Sequence, residues 1–148
     1  MERNTQITLL LFLILGLGLV YVGQQVNVLQ KRVNELDYLI IETGVTIDNG
    51  ADTTTKTVNL TRGATPIEAL QRVAAIETET YPGLGTRVTT INGVSDNKKT
   101  GTYWLIAKKS ENENSWIGVT KPGRDELKDG DNLLFWYGKP SDAPFEAF

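Results

Sequence analysis

The chain has 148 residues, a hydrophobic fraction of 40%, a net charge of −3, and neither cysteine nor histidine. That length accommodates one domain plus accessory segments, and the missing residue types remove disulfides, thiolate nucleophiles, imidazole bases and the usual zinc or copper ligands. An acidic chain without a Lys/Arg block interleaved with aromatics is not expected to bind nucleic acid.

Residues 1–6 form a short polar tail. Residues 7–23, ITLLLFLILGLGLVYVG, are uncharged throughout, at the short end of the roughly 17 to 25 residues that span a bilayer as a helix. A cleaved signal peptide is the rival reading, since Arg3 precedes the run, but no Ala-x-Ala site follows it and no cysteine offers a lipoprotein anchor. The expectation is an uncleaved signal-anchor, a single-pass segment whose first partner is the membrane bilayer. Charge does not orient it, because Arg3 on one side faces Lys31 and Arg32 on the other. The short polar tail before it and a folded domain without cytosolic signatures after it predict a cell-membrane protein with an extracytoplasmic, extracellular-facing domain.

Residues 24–39 read as a helical stalk. Val26, Leu29, Val33, Leu36 and Ile40 recur at alternating spacings of three and four, the pattern of a short coiled-coil seam. Either this seam joins copies into a homo-oligomer, with Val at a and Leu at d suited to a parallel pair, or the stalk only continues the membrane helix.

The globular region, 40–138, opens with alternation. Ile41, Val45 and Ile47 share one parity, and Glu42, Thr46 and Asp48 the other, which predicts a half-buried strand. Asp48-Asn49-Gly50 turns it into a second strand carrying Val58 and Leu60, a hairpin. The same turn faintly resembles a calcium loop, but the bidentate Glu of such loops is missing, so no metal is assigned. Asn59-Leu60-Thr61 is a glycosylation sequon, usable only on an extracytoplasmic face in an organism that glycosylates. Thr65-Pro66-Ile67-Glu68 combines an N-cap, Pro at N1 and Glu at N3, so a helix starts there. Its stripe of Ile67, Leu70, Val73 and Ala74 predicts an amphipathic helix to about Glu79, ended by Tyr81-Pro82-Gly83.

Strands are expected around Arg87–Ile91, over Thr102–Lys108, and briefly at Trp116–Val119. Asp129-Gly130-Asp131 then releases the run Leu133, Leu134, Phe135, Trp136, Tyr137, the expected central strand, apolar on both parities. The tail, 139–148, carries Phe145 and Phe148, either of which could dock. The fold class is therefore α+β, a β-grasp-like mixed sheet with one crossing helix, in which the first and last strands lie side by side.

The order of these residues resembles a known family. The Thr65-x-x-Glu68-Ala69-Leu70 helix, Ile91-Asn92-Gly93, Tyr103-Trp104, Gly118-Val119 and Leu127-Lys128-Asp129-Gly130-Asp131 follow the sequence of the transcobalamin-like C-terminal domain family over roughly 40–138. The resemblance implies a β-grasp module found in cobalamin carriers and in surface-anchored prokaryotic proteins. In the carriers the module closes over a cofactor held by a preceding helical barrel; here an anchor and stalk stand in its place. A flat corrinoid needs two walls, so cobalamin binding by this chain alone is not expected, and no cofactor is assigned.

Aromatic residues on rigid scaffolds are the natural recognition groups. Among Trp104, Trp116, Trp136, Tyr103, Tyr81 and Tyr137, the strand positions Trp104 and Trp136 read as core, and Tyr103, Asn114 and Trp116 as a ligand-binding rim. The acidic pairs Asp129/Asp131, Glu111/Glu113 and Glu77/Glu79 read as turn, loop and helix-end residues rather than as an acid/base pair. The expected function is a membrane-anchored extracytoplasmic binding or interaction module without catalysis, its partner an unknown small ligand or surface protein. The alternative is a self-associating structural subunit of a cell-envelope or filamentous assembly.

Overall fold

The computed structural model describes residues 2–83, 85–109 and 114–146, and the chain divides into two compact units, Met1–Tyr38 and Leu39–Phe148. Phe148 and the Glu111/Glu113 pair fall outside the described residues.

The first unit is one helix, α1 (Glu2–Asp37), of 36 residues. No proline precedes Pro66 in the sequence, so nothing interrupts the i→i−4 ladder. At about 1.5 Å per residue the helix measures about 54 Å, against ~30 Å of hydrocarbon in a bilayer. Its Thr5–Leu36 portion is long and apolar enough to cross a membrane, and none of its apolar window is buried by the protein. The helix ends at Asp37 rather than at residue 39. Ile40, expected in the stalk seam, instead opens a strand on the exposed parity opposite Ile41, Thr43 and Val45, paired with Thr61.

In the second unit, β1 (Ile40–Asp48) and β2 (Thr53–Thr61) form the expected hairpin in unbroken register from Ile40↔Thr61 to Asp48↔Thr53. Asn49 Oδ1 accepts the amides of Ala51 and Asp52 at 2.9 and 2.7 Å, and Gly50 sits at φ 82°. The Asp48–Asp52 stretch is thus a self-bonded turn. Among the described residues, no cluster of Asp, Glu, His or Cys could hold a metal ion.

Helix α2 (Pro66–Gln71) carries the complete capping box, with Thr65 N–H donating to Glu68 Oε2 at 2.7 Å and Thr65 Oγ1 accepting Glu68 N–H. It is shorter than its stripe predicts. The chain leaves the helix at Arg72, and 76–79, expected as its last turns, belong to a strand, β3 (Ile76–Tyr81). Ile76, Thr78, Thr80 and Tyr81 are strand formers, and tertiary pairing decides the matter. The β3 strand lies antiparallel to β4 (Gly85–Ile91), and Asn92 clamps the exit by accepting the Ala75 amide on Oδ1 while donating its own amide to Ala75 O. Asn92 at φ 49° and Gly93 at φ 83° then turn β4 into β5 (Val94–Ser95), completing a three-stranded sheet. Neither β3 nor β5, and so no second sheet, is foreseen in the strand pattern.

The remaining strands, β6 (Tyr103–Lys109), β7 (Ile117–Gly118) and β8 (Asn132–Gly138), join the hairpin in a five-stranded sheet of order β2-β1-β8-β6-β7. As expected, β1 and β8 are parallel neighbours in the middle. Registers Val45↔Leu133, Ile47↔Phe135 and Ile106↔Phe135 line one face with core residues, where Ile41, Leu70, Leu133 and Phe135 are fully buried. On the other parity of β8, Leu134 is buried while Trp136 is half-buried and folds over Gly138. Trp136 is therefore not a core residue of the kind expected, because the helix and the second sheet cover the opposite face.

The loop before β8 is bonded at almost every polar atom. Leu127 N–H donates to Ala64 O at 2.8 Å, Asp129 Oδ1 accepts Glu42 N–H at 2.7 Å, and Gly130 N–H donates to Glu42 O at 2.9 Å. Asp131 is buried, accepts Lys128 N–H at 2.9 Å and pairs with Lys108 Nζ at 3.5 Å. A parallel partner cannot be reached by a tight hairpin, and this latch is what seats β8 beside β1. Asp129 and Asp131 are thereby committed to the architecture.

Candidate functional site

Two strands approach each other without pairing. The β4 strand bonds to β3 along one edge and to β5 only at Thr90 and Ile91, and β6 bonds to β8 along one edge and to β7 at Ala107 and Lys108, with Val119 N–H donating to Ile106 O at 2.8 Å. Their remaining edges, Gly85–Val88 and Tyr103–Ile106, border a cleft of 570 Å³. Val88, Trp104 and Ile106 are its buried lining, Tyr81 and Tyr103 its aromatic walls, and Val119, Pro122, Pro140 and Phe145 its far rim. The tail reaches this rim through a 3-10 turn at Pro140–Asp142 and a parallel bridge between Glu146 and Ile117.

One short segment, 94–96, ties the two sheets together. Trp104 Nε1–H donates to Val94 O and Tyr137 Oη–H to Ser95 O, both at 2.8 Å, while the Trp104 and Tyr137 rings meet at 5.1 Å between centroids. Asp96 bridges β4 and β6. Its amide donates to Thr89 O at 2.8 Å, Oδ1 accepts Trp104 N–H at 2.8 Å, and Oδ2 accepts Arg87 Nη2–H at 2.7 Å. Burial pushes the Asp96 carboxyl above its ordinary value, against the lowering effects of Trp104 N–H, Arg87 and Lys98.

Arg87 is the cation of the cleft. Its guanidinium lies 4.9 Å from the Tyr103 ring centroid, close enough for a cation–π contact. Asp96 engages one nitrogen of a fork that carries five donors. At the opening, the Tyr81 hydroxyl donates to Glu79 Oε2, and that bond raises the tyrosine above its usual range. The arrangement offers an apolar trough with two tyrosines and one guanidinium, which suits holding a ligand by area and by one charged contact.

Of the rim residues read from the sequence, Tyr103 lies on the cleft wall. Asn114 is exposed and Trp116 half-buried, and neither lines the cleft. Trp104 is a core residue, as expected, with its indole N–H satisfied. Asn59 is exposed on β2, at the open edge of the large sheet. Arg87, Val119, Pro122 and Phe145 escape a sequence reading. The available signals were a lone arginine on the polar parity of β4 and a docking-competent phenylalanine in the tail, and neither places itself without the fold.

No family model matches this chain, and no curated protein matches it. Among solved structures, its fold is similar to that of haptocorrin in complex with Cbi, at 18% identity and a TM-score of 0.56, over 68% of this chain and 25% of that one. A protein from Ruminococcus gnavus described as a candidate metal-binding protein aligns at 20% identity and a TM-score of 0.47, over 67% of this chain and 97% of that one. The haptocorrin likeness shows a related fold, while membership of a family is not shown. The class defined by fold and cleft is a β-grasp-like α+β module following a helix able to span a membrane.

Proposed function

We propose that this chain is a membrane-anchored module that binds a small, mainly apolar ligand bearing one anionic group, in the cleft between β4 and β6, without chemistry. One observation carries the reading: a trough of 570 Å³ walled by Tyr81, Tyr103, Val119 and Phe145 converges on a single guanidinium, Arg87. Small-molecule sites are clefts of roughly 300–1,000 Å³, mostly apolar with few placed polar groups. Support for a role without catalysis comes from five acidic residues whose carboxylates are engaged: Glu77 with Thr90, Glu79 with Tyr81, Asp96 with Arg87, Asp129 with Glu42 N–H and Asp131 with Lys108. The haptocorrin structure holds Cbi in a chain of which only 25% is matched here, so no corrinoid is assigned to this one. The anchor reading rests on α1.

Native mass spectrometry of protein extracted from its own membrane should show a bound small molecule. On residues 39–148, an apolar aryl sulfonate such as anilinonaphthalene sulfonate should bind at one site, and Arg87→Gln and Tyr103→Ala should each weaken it. Equal binding by these variants and by the parent would remove the cleft from consideration.

The envelope-subunit reading has a separate support. The β2 strand is an open edge of nine residues, with Thr53–Thr57 all exposed, the geometry that accepts another strand. Concentration-dependent growth of residues 39–148 in solution would favour it.

A further inference from the structure

The helix α1 is continuous from Glu2 to Asp37, so a heptad phase set in its polar half runs without interruption into its apolar half. With Val26 and Val33 at a, and Leu29 and Leu36 at d, the a positions upstream are Phe12 and Leu19 and the d positions Leu15 and Val22. Every one of these residues is apolar, and each is between 46% and 71% exposed. In the polar half, Val28 is the one apolar residue off the seam between Gln24 and Leu36.

Three further features bear on what covers this seam. Gly16, Gly18 and Gly23 fall at e, g and e, flanking it, and nothing lies within 4 Å of where their Cβ atoms would stand. Small residues beside a transmembrane seam let two backbones approach. Val at a with Leu at d favours two parallel strands over three or four. Two copies inserted in one orientation lie parallel, which suits that pairing.

We propose that the occupant of the seam is a second copy of this chain, giving a parallel homodimer whose interface runs from Phe12 in the membrane half to Leu36 in the stalk. A straight helix drifts about 20° per heptad from a 3.5-residue repeat, so the pair must wind with a left-handed supercoil.

The chain has no cysteine, so single-thiol variants of the full protein report contact directly. In detergent or bilayer nanodiscs under mild oxidation, Val26→Cys, Leu29→Cys and Leu19→Cys should form disulfide dimers at least about tenfold faster than Asn27→Cys, Lys31→Cys and Leu17→Cys, which point away from a two-stranded seam. Sedimentation equilibrium should give two chains per particle, and Leu29→Glu combined with Val33→Glu should give one, with the fluorescence of the β-domain unchanged. Equal cross-linking at all positions, cross-linking at none, or a particle of three or more chains overturns the proposal. Cross-linking confined to Val26→Cys and Leu29→Cys overturns its membrane half.

Discussion

The two places where strands from distant parts of the sequence meet are built on opposite terms. At β1–β8 the backbones are in register over Gly44–Asp48 and Asn132–Trp136, and the loop that delivers β8 is latched by Asp129, Gly130 and Asp131. At β4–β6 the edges come together but do not pair, and Asp96 bridges them through Arg87 and the Trp104 amide. Satisfied edges make a stable core, whereas an unfilled gap with apolar walls leaves surface for something else to cover. The first junction should therefore govern stability and the second recognition.

Breaking the first junction should produce the largest effect. Phe135→Ala empties the fully buried centre of β8 and should cost about 4 kcal/mol of unfolding free energy, measured by urea denaturation followed through tryptophan fluorescence. Next, Asp131→Ala removes the acceptor of Lys128 N–H and the partner of Lys108, an expected loss of about 3 kcal/mol. If either variant unfolds at the midpoint of the parent, β8 is not the keystone described here. By contrast, Tyr103→Ala at the second junction should change stability by less than about 1 kcal/mol while weakening aryl sulfonate binding about tenfold, read by titration.

Two smaller effects sharpen the contrast. Thr43 is fully buried on β1 and its Oγ1 has no hydrogen-bond partner among the described residues, so Thr43→Val should raise stability by about 1 kcal/mol. The smallest effect concerns Asp96. Its folded pKa is raised above 3.8, so the folded state binds the extra proton; its contribution to stability declines as pH rises through the interval between 3.8 and the raised value, and recovers on acidification. The difference in urea midpoint between the parent and Asp96→Asn, followed across that interval, measures the sign. The same protonation loosens Arg87, so aryl sulfonate should bind more tightly at the acid end.

What could be read from the sequence follows the same division. The hairpin, the Thr65 capping box and the Leu133–Tyr137 strand were legible because each is encoded by neighbours in the chain, by period or by turn chemistry, and the place of that strand beside β1 followed from the order of strands and helix. The 76–81 strand was not, since Ile76 extends the apolar stripe of Ile67, Leu70 and Val73, and only pairing with β4 and the Asn92 clamp decide against the helix. The cleft was legible at Tyr103 alone. Its other walls come from β3, β4, the 119–122 loop and the tail, residues far apart in sequence whose proximity no local pattern records. Trp116 drew attention as an aromatic after a polar loop, yet it lies outside the trough.

The unpaired stretch between Gly85–Val88 and Tyr103–Ile106 has a thermodynamic corollary. Whatever lodges there adds contacts between two sheets that already share one core and the bonds of segment 94–96, so occupancy and folding become linked equilibria. A molecule present at a hundred times its dissociation constant would raise the unfolding free energy by about 2.7 kcal/mol. Amide exchange should slow most along those two facing edges, which makes a melting-temperature screen of a metabolite extract a direct way to find the natural occupant.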